Sequence, residues 1–153
     1  MAEDVFFQSN KTSVDLEWIL SKCRDYDEFE KRCSEDMLNS DCRTSIYLMR
    51  LLDKYEKKAS VVSQDARLAQ SYVGHIVNGV RNPSRDILFR ICLAIGTTVE
   101  ETQYLLKYAG YAPLYVRRKR DVIIWFGLSK GETLDAVNEN LRKRGLELLY
   151  NEV

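Results

Sequence analysis

The sequence predicts an all-α fold, and three observations support this prediction. Apolar residues recur three and four positions apart through most of the chain, as they do along one face of a helix. No segment alternates strictly between apolar and polar residues, which is the pattern of a half-buried strand. The chain has only 7 Gly and 2 Pro in 153 residues, too few for the many turns of a β-sandwich. This length suits a single core with an appended segment.

Residues 1–45 are predicted to form an acidic N-terminal helical arm. They contain 11 acidic and 6 basic side chains, a net charge of −5. Residues 46–116 and 117–153 carry net charges of +3 and +2, so a surface for nucleic-acid phosphates is expected in the later part of the chain. Apolar residues at helical spacing predict two helices in the arm. These are Leu16, Ile19, Leu20 and Cys23 in the first helix, and Phe29, Cys33, Met37 and Leu38 in the second.

Residues 46–114 are predicted to form a helical domain in which several helix ends are marked by capping residues. A first helix carries apolar residues between positions 46 and 55. Gly enters the left-handed conformation at little cost and therefore ends helices, whereas Ser and Thr hydroxyls cap helix starts. The capping residues are Ser84 and Gly96 around one helix, and Thr98, Glu101 and Gly110 around the next, with Thr98 and Glu101 at capping-box spacing.

Residues 115–153 are predicted to form a C-terminal helical hairpin. The run 122–128 is apolar on every side, and we interpret it as a buried helix that Asp121 caps and Lys130-Gly131 closes. We expect the hairpin to pack on the core or to mediate homodimerisation. The second, amphipathic helix is marked by Leu134, Val137 and Leu141.

Residues 60–83 contain two short helical patterns with too few residues between them for a loop, which is helix-turn-helix spacing. The residues expected to face the core are Val62 and Ala66 from the first helix, Leu68 from the turn, and Val73, Ile76 and Val77 from the second. Asn78 and Gly79 are expected to end the second helix. Its outward positions carry short polar side chains that can approach base edges or another surface. They are Gln70, Ser71, Gly74, His75 and Asn78.

At this point the sequence resembles the helix-turn-helix domains of the lambda-repressor-like (XRE) family, over residues 46–114. A continuation at Arg120–Ile124 and Leu128–Gly131 is similar to a C-terminal extension of bacterial members. Residues 1–45 are not covered. The matching segments are Ser71-Tyr72-Val73, Ile76-Val77-Asn78-Gly79, Arg81-Asn82-Pro83-Ser84-Arg85-Asp86, the helix to Ile95-Gly96, Glu100-Glu101-Thr102 and Tyr108–Leu114.

The resemblance implies a five-helix domain whose third helix, at residues 70–78, enters the major groove of duplex DNA, usually in a dimer on a two-fold related site. Arg67, Arg81 and Arg85 are the basic residues we expect to contact phosphates. The chain differs from the usual family pattern at three positions. Arg67 replaces a turn Gly, Ala69 replaces a capping Ser or Thr, and Ala59 replaces a Gln that bonds phosphate.

Each of these residues also has a structural interpretation. His75 can bond a base edge or sense protons, and it can also be simply a polar surface residue. Gln70 and Asn78 can pair with adenine, although Asn before Gly also commonly ends a helix. Arg85 can touch a phosphate or, with Asp86, stabilise the start of its helix. The basic run 117–120 suits phosphates, acidic proteins or solvent.

The sequence does not predict an enzyme, a cofactor or a metal centre. It has no Gly-rich phosphate loop, no G-x-S-x-G motif and no C-x-x-C pair, and its single histidine has no ligand cluster beside it. Cys23, Cys33 and Cys42 can form a disulfide only if the fold brings them close, and Cys92 reads as a small buried hydrophobe. No apolar run reaches the length of a membrane helix and no secretory signal is present, so a cytoplasmic protein is expected.

Two hypotheses of different classes follow. The first is a bacterial or phage-type transcriptional regulator that binds double-stranded DNA sequence-specifically through residues 70–78. The alternative is a degenerate helix-turn-helix that acts as a protein–protein interaction module, because no Lys or Arg lies between Arg67 and Arg81 to supply affinity for phosphates. A homo-oligomeric scaffold is a third, weaker option.

Overall fold

A computed structural model describes residues 13–34 and 43–151. The regular secondary structure within these residues consists of helices, without strands. The predicted all-α fold is therefore confirmed at this level. None of the helices in these two ranges is long and apolar enough to cross a membrane. Met37, Leu38 and Cys42, which entered the sequence predictions, lie outside the described residues.

The chain divides into two compact units, residues 1–41 and residues 42–153. The first unit contains α1 (Ser13–Lys22) and α2 (Tyr26–Cys33). The second contains α3 (Arg43–Lys54), α4 (Ala59–Asp65), α5 (Tyr72–Val77), α6 (Arg85–Ile95), α7 (Val99–Tyr108), α8 (Lys119–Lys130) and α9 (Leu134–Lys143).

In the first unit, α1 contains the predicted Leu16, Ile19 and Leu20 but ends at Lys22, before Cys23, and α2 contains the predicted Phe29 and Cys33. The Asp25 side chain caps α2 by accepting a hydrogen bond from the Glu28 backbone N–H at 2.9 Å. Leu20 was predicted on the apolar face of α1, but its side chain is exposed. Cys23 and Cys33 are free thiols.

Helix α6 is the central helix of the second unit and packs against α4, α7, α8 and α9. Its buried residues are Leu88, Phe89, Ile91, Cys92, Leu93 and Ile95. Burial raises the pKa of the Cys92 thiol to about 11. Cys92 is therefore the small buried hydrophobe that the sequence predicts, because its thiolate is disfavoured at neutral pH.

The helix ends of α6 and α7 follow the predicted capping residues. The Ser84 hydroxyl accepts from the Ile87 backbone N–H, and Gly96 ends α6 with a left-handed φ of 87°. Thr98 and Glu101 form a reciprocal capping box at the start of α7. Glu101 also accepts hydrogen bonds from the side chains of Lys54 and Tyr55, each at 2.5 Å, so its buried carboxylate ties the end of α3 to the start of α7.

Helix α8 corrects two expectations. Asp121 does not cap it, because the N-cap is Arg118 without a side-chain hydrogen bond and Asp121 lies within the first turn of the helix. The helix is not buried on every side either, since Phe126 is exposed. Gly131 ends α8 in the left-handed conformation, as predicted.

The buried Asp121 carboxylate instead joins α8 to α6. Arg85 donates to both of its oxygens, at 3.2 and 3.1 Å, and the backbone N–H of Tyr115 donates to Oδ2 at 3.0 Å. The neighbouring residues form the reciprocal pair, in which Arg120 donates to both oxygens of Asp86 at 2.8 and 2.9 Å. Two crossed Arg–Asp pairs thus fix the C-terminal hairpin, α8 and α9, against the rest of the unit.

Helices α8 and α9 approach each other closely at Gly127. A Cβ atom at this position would overlap Cγ2 of Val137 on α9. Glycine is required here for close approach of the two helices, and its φ is not in the left-handed region.

Candidate nucleic-acid interface

Helices α4 and α5 are joined by residues 66–71 and pack against each other. Val62, Ala66, Val73 and Ile76 are buried, as the helical spacing predicted, whereas Leu68 and Val77 are only partly buried. Helix α5 is shorter than the predicted residues 70–78, because it spans Tyr72–Val77 with Ser71 and Asn78 as its caps and Gln70 lies before it. Gly79 follows with a left-handed φ of 77°. These apolar residues fix one face of α5 on the core and leave the other face to solvent.

The segment between the two helices turns at Arg67, which has a left-handed φ of 60°. This conformation disfavours residues with a Cβ, so the turn at Arg67 needs support from neighbouring residues. Arg90 on α6 holds the turn in place. Its Nε donates to the Ala66 carbonyl at 3.0 Å and its Nη2 donates to the Arg67 carbonyl at 2.7 Å.

The start of α5 is capped from another helix. Ser71, the N-cap residue of α5, makes no side-chain capping hydrogen bond. The buried Ser63 hydroxyl on α4 accepts from the Val73 backbone N–H at 3.0 Å and donates to the Ala59 carbonyl at 2.9 Å. Ser63 therefore satisfies a backbone donor in the first turn of α5 that Ala69 and Ser71 leave without a local side-chain partner.

The predicted base-reading residues Gln70, Ser71, His75 and Asn78 lie at or beside α5 at helical spacing. Together with Gly74 they define what we call the α5 surface. Gln70, Ser71 and Asn78 are exposed, and Gly74 and His75 are partly exposed. A Cβ atom built at Gly74 has no atom within 4 Å, so the space beside it is open. The surface can accordingly bring small hydrogen-bonding groups and bare helix backbone close to a ligand.

The three predicted phosphate contacts have different surroundings. Arg67 pairs with Asp135 on α9, with Nε–Oδ1 and Nη2–Oδ2 distances of 3.0 and 2.8 Å. Hydrogen bonding to Asp135 raises the pKa of the Arg67 guanidinium, and the same bond lowers the pKa of Asp135. The charge of Arg67 is therefore neutralised by a carboxylate of the C-terminal hairpin.

Arg85 is likewise engaged within the fold. Besides Asp121, it donates to the carbonyls of Ala112 and Pro113 at 3.0 and 3.1 Å. Arg81 differs from both, because no carboxylate among the described residues pairs with it and its exposed guanidinium lies 4.8 Å from the centroid of the Tyr72 ring on α5. Of the three arginines, Arg81 is the one whose charge lies at α5 rather than at the hairpin.

Three residues that position this surface were not predicted from the sequence: Ser63, Arg90 and Asp135. Each acts on a residue at least 10 positions away in the chain. A further non-local contact comes from Tyr150, whose hydroxyl donates to Asp135 Oδ1 at 2.5 Å. No local sequence pattern indicates these partners, although Ser63 and Arg90 are polar residues that interrupt predicted apolar helices.

Within residues 13–34 and 43–151 there is no group of three or more His, Cys, Asp or Glu side chains that could hold a metal ion. No family model matches the chain, and the comparisons with curated proteins and with solved structures also give no match.

Proposed function

We propose that the chain is a sequence-specific, duplex-DNA-binding transcriptional regulator of the lambda-repressor-like type, which reads the major groove with residues 70–78. The observation that carries this proposal is the α5 surface, whose polar side chains are exposed or partly exposed on the side of α5 opposite the buried Val73 and Ile76. The five consecutive helices α3–α7 are in keeping with the five-helix domain that the resemblance implies.

The side chains of the α5 surface suit base edges. Gln70 and Asn78 can each form the two hydrogen bonds that adenine offers in the major groove, and Ser71 and His75 can donate or accept. The open space beside Gly74 lets the groove approach the helix backbone. Specific contacts would thus come from four side chains around one small residue.

Phosphate contacts supply most of the affinity of such a protein and make it dependent on salt. Arg81 is the arginine we assign to this role, because Arg67 and Arg85 are bound to Asp135 and Asp121. With few cations beside the α5 surface, we expect a shallow salt dependence. Binding to DNA would repress transcription by occupying a promoter.

The alternative function is a protein–protein interaction module on the same surface. It is favoured by the internal neutralisation of Arg67 and Arg85 and by Val80, which follows α5 and is 75% exposed. An exposed aliphatic side chain beside short polar groups suits a protein surface better than a phosphate backbone.

Selection of bound duplexes from a randomised pool separates the two functions. The enriched duplex is then titrated at two salt concentrations with the wild type and with Gln70→Ala/His75→Ala. A matched control, Ser129→Ala/Lys143→Ala, removes two exposed side chains from the C-terminal hairpin. The proposal predicts an enriched, salt-sensitive motif that the first variant loses and the control retains. Absence of enrichment together with absence of binding at low salt would overturn it.

A further inference from the structure

A groove of about 720 Å³ runs along the outer face of α8 and ends against the last turn of α9. We call it the hairpin groove. It lies on the C-terminal hairpin and is lined by residues that the proposed DNA contacts do not use. Its apolar lining consists of Val116, Val122, Ile123, Phe126 and Leu146, and its cationic lining of Arg117, Lys119, Lys130 and Arg144.

Two of the apolar residues that line the groove are largely exposed to solvent. Phe126 is 54% exposed and Val116 is 63% exposed, whereas Ile123 lies buried at the floor. Lys119, Val122, Phe126 and Lys130 follow one another along one side of α8 at helical spacing. The distance from Lys119 to Lys130 corresponds to about 16 Å of helix, or three turns. This elongated shape fits a helix that lies along the groove.

The charge on the groove selects an anionic occupant. Four cationic side chains line it against a single carboxylate, Glu132. Across the residues that the structure describes, no salt bridge engages any of the four. Arg120, in the same basic run, is by contrast paired with Asp86. The hairpin therefore neutralises the cation that faces α6 and leaves those at the groove without an ion-pair partner among the described residues. Arg144 donates a hydrogen bond to the neutral side chain of Asn140, which also lines the groove.

From the shape and the charge together, we propose that the hairpin groove binds an acidic amphipathic helix of a protein partner. Apolar side chains one turn apart on that helix would cover Phe126 and Val116. Its carboxylates would face Lys119 and Arg144 at the two sides of the groove. Such binding uses the helix-in-groove mode, in which apolar anchors at helical spacing supply affinity and charges set orientation.

Other occupants fit less well. Two copies that met groove to groove would bring eight cations together, which like-charge repulsion opposes. A nucleic-acid backbone would satisfy the cations but would place phosphates against Phe126 and Val116. A bilayer surface is flat, whereas this apolar lining is concave.

The test uses the full chain and a fluorescein-labelled synthetic peptide of about 14 residues, long enough for four helical turns. The peptide carries Leu at positions i, i+3, i+4 and i+7 and Glu elsewhere on its polar face. A scrambled peptide of the same composition is the peptide control. Fluorescence anisotropy is measured for the wild type, Phe126→Ser, Lys119→Glu/Arg144→Glu, and the control Lys143→Glu, an exposed cation of α9 outside the groove.

We expect the wild type and Lys143→Glu to bind the amphipathic peptide, and the two groove variants to bind it at least about tenfold more weakly. A peptide with Lys in place of Glu should prefer the charge-reversed variant over the wild type, which is a gain that unfolding could not produce. Equal binding of the scrambled peptide, or unchanged binding by both groove variants, would overturn the proposal. So would a full-chain dimer that Phe126→Ser dissociates, or binding of anionic vesicles or duplex DNA that the groove variants lose while peptide binding is absent.

Discussion

Arg67 and Asp135 form a two-point ion pair that connects the turn between α4 and α5 to the C-terminal hairpin. The Tyr150 hydroxyl shares Asp135 Oδ1, and the Tyr150 ring lies 5.1 Å from the Arg67 guanidinium. Asn138 fixes this part of the chain by accepting from the Leu149 backbone N–H at 2.8 Å. The position of the turn before α5 thus depends on residues more than sixty positions later.

Replacing Asp135 with Asn should release the charge of Arg67 at the edge of the α5 surface. If this surface binds DNA, we expect tighter binding at low salt, and a slope of log affinity against log salt that is steeper by about 0.9, the value for one added phosphate contact. Salt titration of the selected duplex measures the slope. Glu139→Gln is the control, since it removes a carboxylate from the same helix whose salt-bridge partner among the described residues is Arg142. An unchanged slope for Asp135→Asn would contradict the idea that Asp135 keeps the Arg67 charge from DNA phosphates.

Ser63→Ala removes the hydroxyl that caps α5 from α4. The Val73 backbone N–H then lies buried without its acceptor, and we expect the free energy of unfolding to fall by about 1–3 kcal/mol. Urea denaturation measures this change, and Ser129→Ala on the exposed side of α8 is the control. Amide exchange at Val73 should also accelerate. If Ser63→Ala has wild-type stability and a wild-type exchange rate at Val73, the hydrogen bond from the Val73 N–H to Ser63 does not stabilise the fold.

The crossed pairs between α6 and α8 differ in burial, and the difference predicts unequal costs. The side chain of Asp121 is 3% exposed, whereas that of Asp86 is 34% exposed. Asp121→Asn leaves the Arg85 charge without its buried partner, which we expect to destabilise the fold by roughly 3 kcal/mol. Asp86→Asn should cost clearly less because water screens that pair. Comparison of the two variants by denaturant unfolding checks this order, and equal costs would contradict it.

Glu101 predicts a pH dependence of stability. Burial alone would raise the pKa of its carboxyl group, but hydrogen bonds from Lys54, Tyr55 and the Thr98 N–H prevail and lower the pKa. The folded state therefore holds fewer protons than the unfolded state near the ordinary value of 4.5, so stability is lost as pH falls below that value. Glu101→Gln should make the loss of stability with falling pH smaller, as measured by urea denaturation between pH 3 and 7. The loss should not disappear, because the pKa of Asp135 is also lowered and contributes to it. An identical pH profile in the variant would refute this role.

The sequence predicted the features that depend on residues within one helical turn. Ser84, Gly96 and the Thr98–Glu101 box act on backbone groups three or four positions away, and all were assigned correctly. Asp121 was misassigned because its partner, Arg85, lies 36 positions earlier and no local pattern distinguishes a cap from a buried ion pair.

At the α5 surface too, local features were predicted from the sequence and tertiary contacts were not. Helical spacing identified Val73 and Ile76 as inward-facing residues, which leaves Gln70 and Asn78 for the solvent side. The partners that determine how strongly this surface attracts phosphate, Asp135 for Arg67 and Asp121 for Arg85, are set by tertiary packing. The sequence alone therefore led us to expect more unpaired cations beside α5 than the structure shows.

Gly74→Leu tests whether the open side of α5 reads DNA. A side chain at Gly74 meets no atom of the protein within 4 Å at its Cβ, so the fold and its melting temperature should be preserved. It would nevertheless occupy the space into which the major groove must fit. By fluorescence anisotropy on the duplex selected by the wild type, we predict at least about a tenfold loss of affinity. A folded Gly74→Leu protein that binds this duplex as tightly as the wild type would contradict the account.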